Sequence, residues 1–221
     1  MRVYTRRTWL ATLPASLTML MVTAGTAAAQ QRPDRFTVGT ASAARGQTAT
    51  GVISVPAGSD AGYDIPVAVV NGAKPGKVLA LAAGSHGTEY ASVIALEKLI
   101  GSLNPADISG TVIILPLINV NSFEHVVPHL NPVDGKNMNR FFPGNMQGTQ
   151  TERASALITR EVIEKSDHII DMHGGDIDEN LRPYSYWTVT GNARQDSISK
   201  PAPAGPESPK ASIASKTAWP V

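Results

Sequence analysis

Two short stretches, 51–55 and 65–70, are rich in Val and Ile and flank the turn Gly58-Ser59-Asp60-Ala61-Gly62, which predicts a β-hairpin. After the turn-rich Asn71-Gly72-Ala73-Lys74-Pro75-Gly76 comes an unbroken apolar run at 78–83, the pattern of a strand covered on both faces. That run leads into Gly84-Ser85-His86-Gly87. Between about 89 and 103, Val93, Leu96, Ile100 and Leu103 recur at helical spacing, and Asn104-Pro105 closes the helix. A second buried strand is predicted at 111–117. Thr149 followed three residues later by Glu152 has the form of a capping box opening a helix to about 165, and 168–172 predicts a strand ending at His173. The order strand, helix, strand, long loop, helix, strand predicts an α/β domain around a largely parallel or mixed sheet, with the hairpin as an antiparallel extension.

The ends of the chain read differently. Arg2, Arg6 and Arg7 precede an apolar run at about 9–22 and the small residues Ala27-Ala28-Ala29, so 1–29 is expected to be an export signal and the product periplasmic or extracellular. The adjacent arginines suit a twin-arginine signal, with the general secretory route standing beside it. The run is short and contains Thr, Ala and Pro14, which argues against stable membrane insertion. Residues 30–47 are polar and irregular and are expected to form a linker. The domain proper is assigned to 48–190. The stretch 191–221 is rich in Ala, Pro and Ser without periodicity and is expected to be a disordered or aberrant tail.

With 221 residues and 42% hydrophobic content, the chain can bury one substantial core. The formal net charge of +1 turns slightly negative once Arg2, Arg6 and Arg7 are removed, so nucleic acid and anionic membrane are not expected as partners. There is no cysteine, which leaves His, Asp and Glu to hold any metal.

His86-Gly87-Thr88-Glu89, taken with His173, supplies two nitrogens and one carboxylate oxygen at a spacing that suits zinc, and leaves a coordination position open for catalysis. In α/β sheets ligands bind beyond the carboxyl ends of the strands, where both histidines fall. The pattern points to a metal-dependent hydrolase. Asp171 is placed to fix the tautomer of a ligand histidine, or else points away as a strand neighbour. Asp176 and Glu179 either line the pocket or solvate a loop. His125, His129 and His168 lack ligand spacing to one another and read as surface or structural residues. Tyr184, Tyr186 and Trp187 read as core or pocket wall.

Together, His86-Gly87-Thr88-Glu89, Asn137-Met138-Asn139-Arg140-Phe141-Phe142-Pro143-Gly144 and Asp171-Met172-His173-Gly174-Gly175-Asp176 resemble the succinylglutamate desuccinylase/aspartoacylase family, relatives of the zinc carboxypeptidases. The resemblance runs from about 51 to 190. It implies a three-layer α/β/α fold, incomplete at the C-terminus, and one Zn2+ held by His86, Glu89 and His173. It also implies that Asn139 and Arg140 grip a carboxylate of a small substrate, a task for which the planar guanidinium fork is suited. The implied activity is deacylation of an N-acyl amino acid or similar carboxylate-bearing substrate. A carboxypeptidase-like peptidase and a non-catalytic metal-binding remnant stand as alternatives. Two departures accompany the resemblance. No arginine that would polarise the scissile carbonyl occurs at 123–135, where His125 or His129 is the available substitute. The C-terminal segment from which the family supplies its catalytic Glu has no counterpart, as expected of a truncated reading of a longer gene.

Overall fold

The computed structural model describes residues 34–182, 184–200 and 210–214. The expected export signal lies outside the described residues. A mixed five-stranded sheet forms the centre, built from β3 (Gln47–Val55), β4 (Tyr63–Asn71), β5 (Lys74–Ala83), β6 (Ser109–Leu115) and β7 (His168–Met172). Its order is β3-β4-β6-β5-β7, antiparallel across β3, β4 and β6 and parallel across β6, β5 and β7. The predicted hairpin is β3–β4, longer at each end than the Val/Ile runs alone suggested.

Period-two alternation sends successive side chains of β5 to opposite faces. Ala80 and Ala82 pack with Val67, Val69, Ile113, Leu115, Leu157 and Ile158 on one side. Leu81 and Ala83 pack with Ala68, Val70, Ile114 and Leu96 on the other. The second face is covered by α1 (Tyr90–Ser102) through Val93 and Leu96, with Leu99, Ile100 and Leu103 at its margin. The first face is covered by α3 (Gln150–Ile158), which runs into a π-helical turn at Thr159–Ile163 where a regular helix to 165 was expected. Covering both faces explains why β5 and β6 are continuously apolar. A short α2 (Val120–Glu124) follows β6.

Part of the expected linker is ordered. β1 (Arg35–Val38) and β2 (Ala41–Ala44) form an antiparallel hairpin whose Val38, Ala41 and Ala43 are buried in the same core as α3. The alanines of β2 carry little strand propensity, so burial rather than local preference makes this element. Gly51 of β3 permits the approach, since a Cβ there would lie 2.5 Å from Ala41 N. The expected tail also departs from a structureless chain: β8 (Tyr184–Thr188) pairs in parallel with β9 (Lys210–Ala214), and α4 (Ala193–Ser199) lies between them in sequence, capped by Asn192. Among the described residues, no helix is long and apolar enough to cross a membrane.

Candidate metal centre

β5 and β7 are neighbours, and their register sets Ala83 opposite Met172. The residues that follow each strand therefore emerge at the same edge of the sheet. On the β5 side the chain turns through Gly84 at φ +68° and reaches Glu89, the N-cap of α1. Gly87 is required by a close approach: a Cβ there would stand 2.3 Å from Phe123 N. Its own N–H donates to Ser122 Oγ at 2.9 Å. Asn119 Nδ2 donates to Ser85 O at 3.2 Å, which ties the β6 loop to the β5 loop.

Glu89 makes no side-chain cap for α1, because its carboxylate is turned to the histidines. His86 Nδ1 lies 2.7 Å from Glu89 Oε1 and His173 Nδ1 lies 2.8 Å from Glu89 Oε2. Gly174 N–H adds a third bond to Oε2 at 2.9 Å. The ligating atoms of His86, Glu89 and His173 lie within 4.8 Å of one another, a set that fits a borderline divalent ion. Each histidine offers Nδ1 to the centre and has an acceptor behind it: Asp171 Oδ2 is 2.9 Å from His173 Nε2, and Asn137 Oδ1 is 3.2 Å from His86 Nε2. Such partners hold the ring orientation and the tautomer that leaves Nδ1 free for a metal. Asp171 thus points at His173, settling the two orientations its strand position allowed.

Glu89 is only 5% exposed. Burial opposes its charge, but the bonds from His173 and His86 outweigh that and hold the carboxyl at about 2. Burial also opposes charge on His173, yet Asp171 and Glu89 push its pKa up to about 10. The Glu89 carboxylate thus bridges the two imidazoles, one on each oxygen.

The long loop between α2 and α3 brings in the Asn-Arg motif. Asp134 accepts from Thr151 N and Oγ1 at 2.8 Å each, and the buried Asn131 donates to Gln150 Oε1 at 2.7 Å. Lys136 Nζ donates to Glu152 Oε2 at 2.6 Å. The loop is thereby pinned to the first turn of α3, and the fully buried Met138 anchors the motif in the core. Asn139 is buried beside both histidines, with Nδ2 3.3 Å from His173 Nε2 and 3.5 Å from His86 Nε2, while its Oδ1 is buried without a hydrogen bond. Rotating the amide by half a turn would present Oδ1 as an acceptor to the imidazole N–H groups, the arrangement a metal on Nδ1 favours. Arg140 is exposed next to it and donates to Asn139 O at 3.2 Å.

The remaining candidates separate. Asp176 comes to the site: its Oδ1 accepts from Thr88 Oγ1, and its Oδ2 lies 3.0 Å from His129 Nε2. Glu179 is exposed and accepts from Asp176 N at 3.3 Å, so it shapes the loop. Glu152 reaches back to Thr149 N at 3.0 Å and forms part of the α3 cap. His125 caps α2 through Asn121 O and His168 is exposed at the start of β7. His129 is a surface residue as expected, its side chain 57% exposed, and its ring also stands edge-on to His86 with centroids 5.0 Å apart. The sequence did not assign Asn137 to the centre, and it offered His129 only as a substitute for the absent carbonyl-polarising arginine. Asn137 could have been found from its place in the Asn-x-Asn-Arg motif; nothing local marks His129.

Residues 75–189 match the succinylglutamate desuccinylase/aspartoacylase catalytic domain, and the chain belongs to that family. Over 131 residues it is 36% identical to N-alpha-acetyl-L-2,4-diaminobutyric acid deacetylase of Halomonas elongata, an alignment spanning 59% of this chain and 38% of that protein. An aspartoacylase family protein from Mesorhizobium loti superposes with a TM-score of 0.63 at 29% identity, covering 68% of this chain and 48% of that one. A proposed carboxypeptidase from Burkholderia mallei shares the fold at a TM-score of 0.50 and 19% identity, covering 77% of this chain and 43% of that one. The architecture is thus the aspartoacylase/carboxypeptidase-like α/β fold with a mixed central sheet, and the chain spans less than half the length of these relatives.

Proposed function

We propose that this chain is part of the catalytic domain of a zinc-dependent deacylase that hydrolyses the amide of an N-acyl amino acid. The observation that carries the reading is the convergence of His86 Nδ1, His173 Nδ1 and the Glu89 carboxylate at the mouth of the sheet, each imidazole backed by an acceptor. A zinc ion held there supplies Lewis-acid polarisation of the carbonyl and activation of water. The protein's own contributions are separable. Asp171 and Asn137 hold the two imidazoles in the ligating tautomer, Asn139 fills the space between them, and Arg140 offers a fork of donors for the substrate carboxylate. Asp176 and His129 stand beside Glu89, their side-chain N and O atoms within 4.8 Å of one another. The Halomonas relative makes N-α-acetyl diamino acids the first substrates to try.

The test is zinc content of the purified chain, followed by hydrolysis of N-acyl amino acids. About one zinc or more per wild-type chain is expected, and His86→Ala or His173→Ala should lose most of it, since two ligands make a poor chelate. Equal zinc in wild type and both variants rejects the reading. Export remains part of the proposal on the strength of Arg6-Arg7 and Ala27-Ala28-Ala29. A mature N-terminus near Gln30 outside the cytoplasm is expected, and an uncleaved cytoplasmic chain would refute it.

A further inference from the structure

We propose that Phe123, Val126, Leu130 and Ile177 form an apolar rim beside the metal centre that receives the acyl group of the substrate, so that neutral, methylene-rich acyl groups are preferred to acetyl and to acidic ones such as succinyl. This deepens the deacylase reading and rests on it. The four side chains are between 39% and 54% exposed. They lie on two loops, 122–130 and 174–181, and both loops are tied to the two residues between His86 and Glu89. Gly87 N–H donates to Ser122 Oγ at 2.9 Å, and Ile177 N–H donates to Thr88 O at 3.1 Å. Val127 N–H donates to Ser122 O at 2.9 Å, which closes the turn that carries Val126. The Phe123 ring stands edge-on to Tyr90, the residue after Glu89, with centroids 5.8 Å apart. His129 Nε2 lies 3.0 Å from Asp176 Oδ2 and joins the two loops beside the His86 ring.

Water is a poor neighbour for these side chains, and the backbone beneath two of them is held in a conformation they do not favour. Among the described residues, the non-glycine residues with positive φ are Val126 (+54°), His129 (+61°) and Ile177 (+50°), all in these two loops. For a β-branched residue that conformation is strained, and Gly, Asn or Asp would adopt it at less cost. A loop made only to turn would carry those residues. Strain kept together with apolar exposure at the mouth of a site points to a surface shaped for a ligand.

The reaction itself supplies the occupant. An N-acyl amino acid brings two ends to the metal: a carboxylate, for which Arg140 offers its fork, and an acyl group on the other side of the scissile amide. Charge separates the kinds of acyl group. Residues 122–133 and 174–181 contain no Lys or Arg, while Glu124, Asp176, Asp178 and Glu179 are acidic. An acyl group bearing its own carboxylate would meet repulsion there and find no cation. An uncharged chain or ring instead removes apolar surface from water on both partners, and each added methylene strengthens the contact.

The experiment is calorimetric titration of N-acetylglycine, N-succinylglycine and N-hexanoylglycine into the chain, once zinc-free and once loaded with ZnCl2. The zinc-free arm reads the rim without the metal. N-hexanoylglycine should bind about tenfold or more tighter than N-acetylglycine in both arms, because its longer chain leaves water, and N-succinylglycine should bind no tighter than N-acetylglycine. Val126→Asn and Ile177→Asn place a residue suited to the left-handed backbone, so both variants should unfold at the same or higher urea and bind zinc as the wild type does. Their preference for hexanoyl should fall below about threefold. Equal binding of hexanoyl and acetyl by the wild type overturns the rim, as does a preference for succinyl or a hexanoyl preference that survives both substitutions. Concentration-dependent association of the wild type that both substitutions abolish, with no hexanoyl preference, also overturns it and makes the loops a protein contact. The deacylase reading fails separately, if the wild-type chain takes up no zinc whatever its acyl preference.

Discussion

At Glu89 one carboxylate accepts from His86, His173 and the Gly174 amide, and it does so from the N-cap of α1, where its side chain would ordinarily bond the helix's own amides. The cap is given up for the two imidazoles. The charge state of the pair then sets how metal and protons compete. His173 is raised from 6.5 to about 10, so in metal-free protein its stabilising contribution is complete below about 6.5 and is lost as pH rises through 10. Glu89 is lowered from 4.5 to about 2, so its contribution is present above 4.5 and is lost as pH falls through 2. Chelated protein should therefore unfold at lower urea as pH is raised from 7 toward 10. Zinc affinity should move the other way, because the ion must displace the proton on His173. Calorimetry at pH 7.5 in buffers of different ionisation enthalpy should give about one proton released per ion at the metal centre. Zero release would show that His173 is not a ligand.

Among the elements, the tie between the β3–β4 turn and α3 decides where the Asn-Arg loop can sit. Arg153, 2% exposed, donates from Nε to Pro56 O at 3.0 Å, from Nη1 to Gly148 O at 2.6 Å, and from Nη2 to Asp60 Oδ1. Asp60 Oδ2 in turn accepts from Gln150 N at 3.0 Å at the first turn of α3. Burial raises the Asp60 carboxyl, but the bonds from Arg153 and Gln150 bring it below its ordinary value. Replacing Arg153 with Met should cost about 3 kcal/mol, since it strands the Asp60 carboxylate and the carbonyls of Pro56, Asp60 and Gly148. The check is the urea midpoint. A loss under about 1 kcal/mol would mean that water replaces the guanidinium and that the tie is not structural. Zinc content of the folded variant should fall only modestly, because its contacts reach the loop and not the ligands.

For the whole molecule, the arrangement of the sheet matters more than any one contact. β7 is an edge: among the described residues it pairs only with β5, and Ile170 in its middle is 51% exposed. An apolar edge strand offers its free N–H and C=O groups to any other strand. The purified chain should therefore associate as concentration rises, seen by light scattering coupled to size exclusion, and Ile170→Lys should return it toward monomer. Unchanged association in that variant would place the sticky surface elsewhere.

The local patterns of the chain were enough to determine the Val/Ile-rich β3–β4 hairpin, the apolar run of β5, the Val93/Leu96 face of α1 and the strand that leads into His173. Motif spacing was enough to nominate His86, Glu89 and His173, because their separation relative to the strands already places them at one end of a sheet. Other features were decided only by tertiary structure. The β1–β2 hairpin has no strong propensity of its own and exists because Val38, Ala41 and Ala43 cover the α3-side core. His129 reaches Asp176 from 47 positions away through a left-handed backbone that no periodicity encodes. The orientation of Asp171, and the division of Asp176 from Glu179, depended on which side of a loop faces Thr88 and His173. Secondary structure and ligand spacing are short-range properties of a chain, whereas side-chain direction in a loop is set by whatever packs against it once the chain has folded.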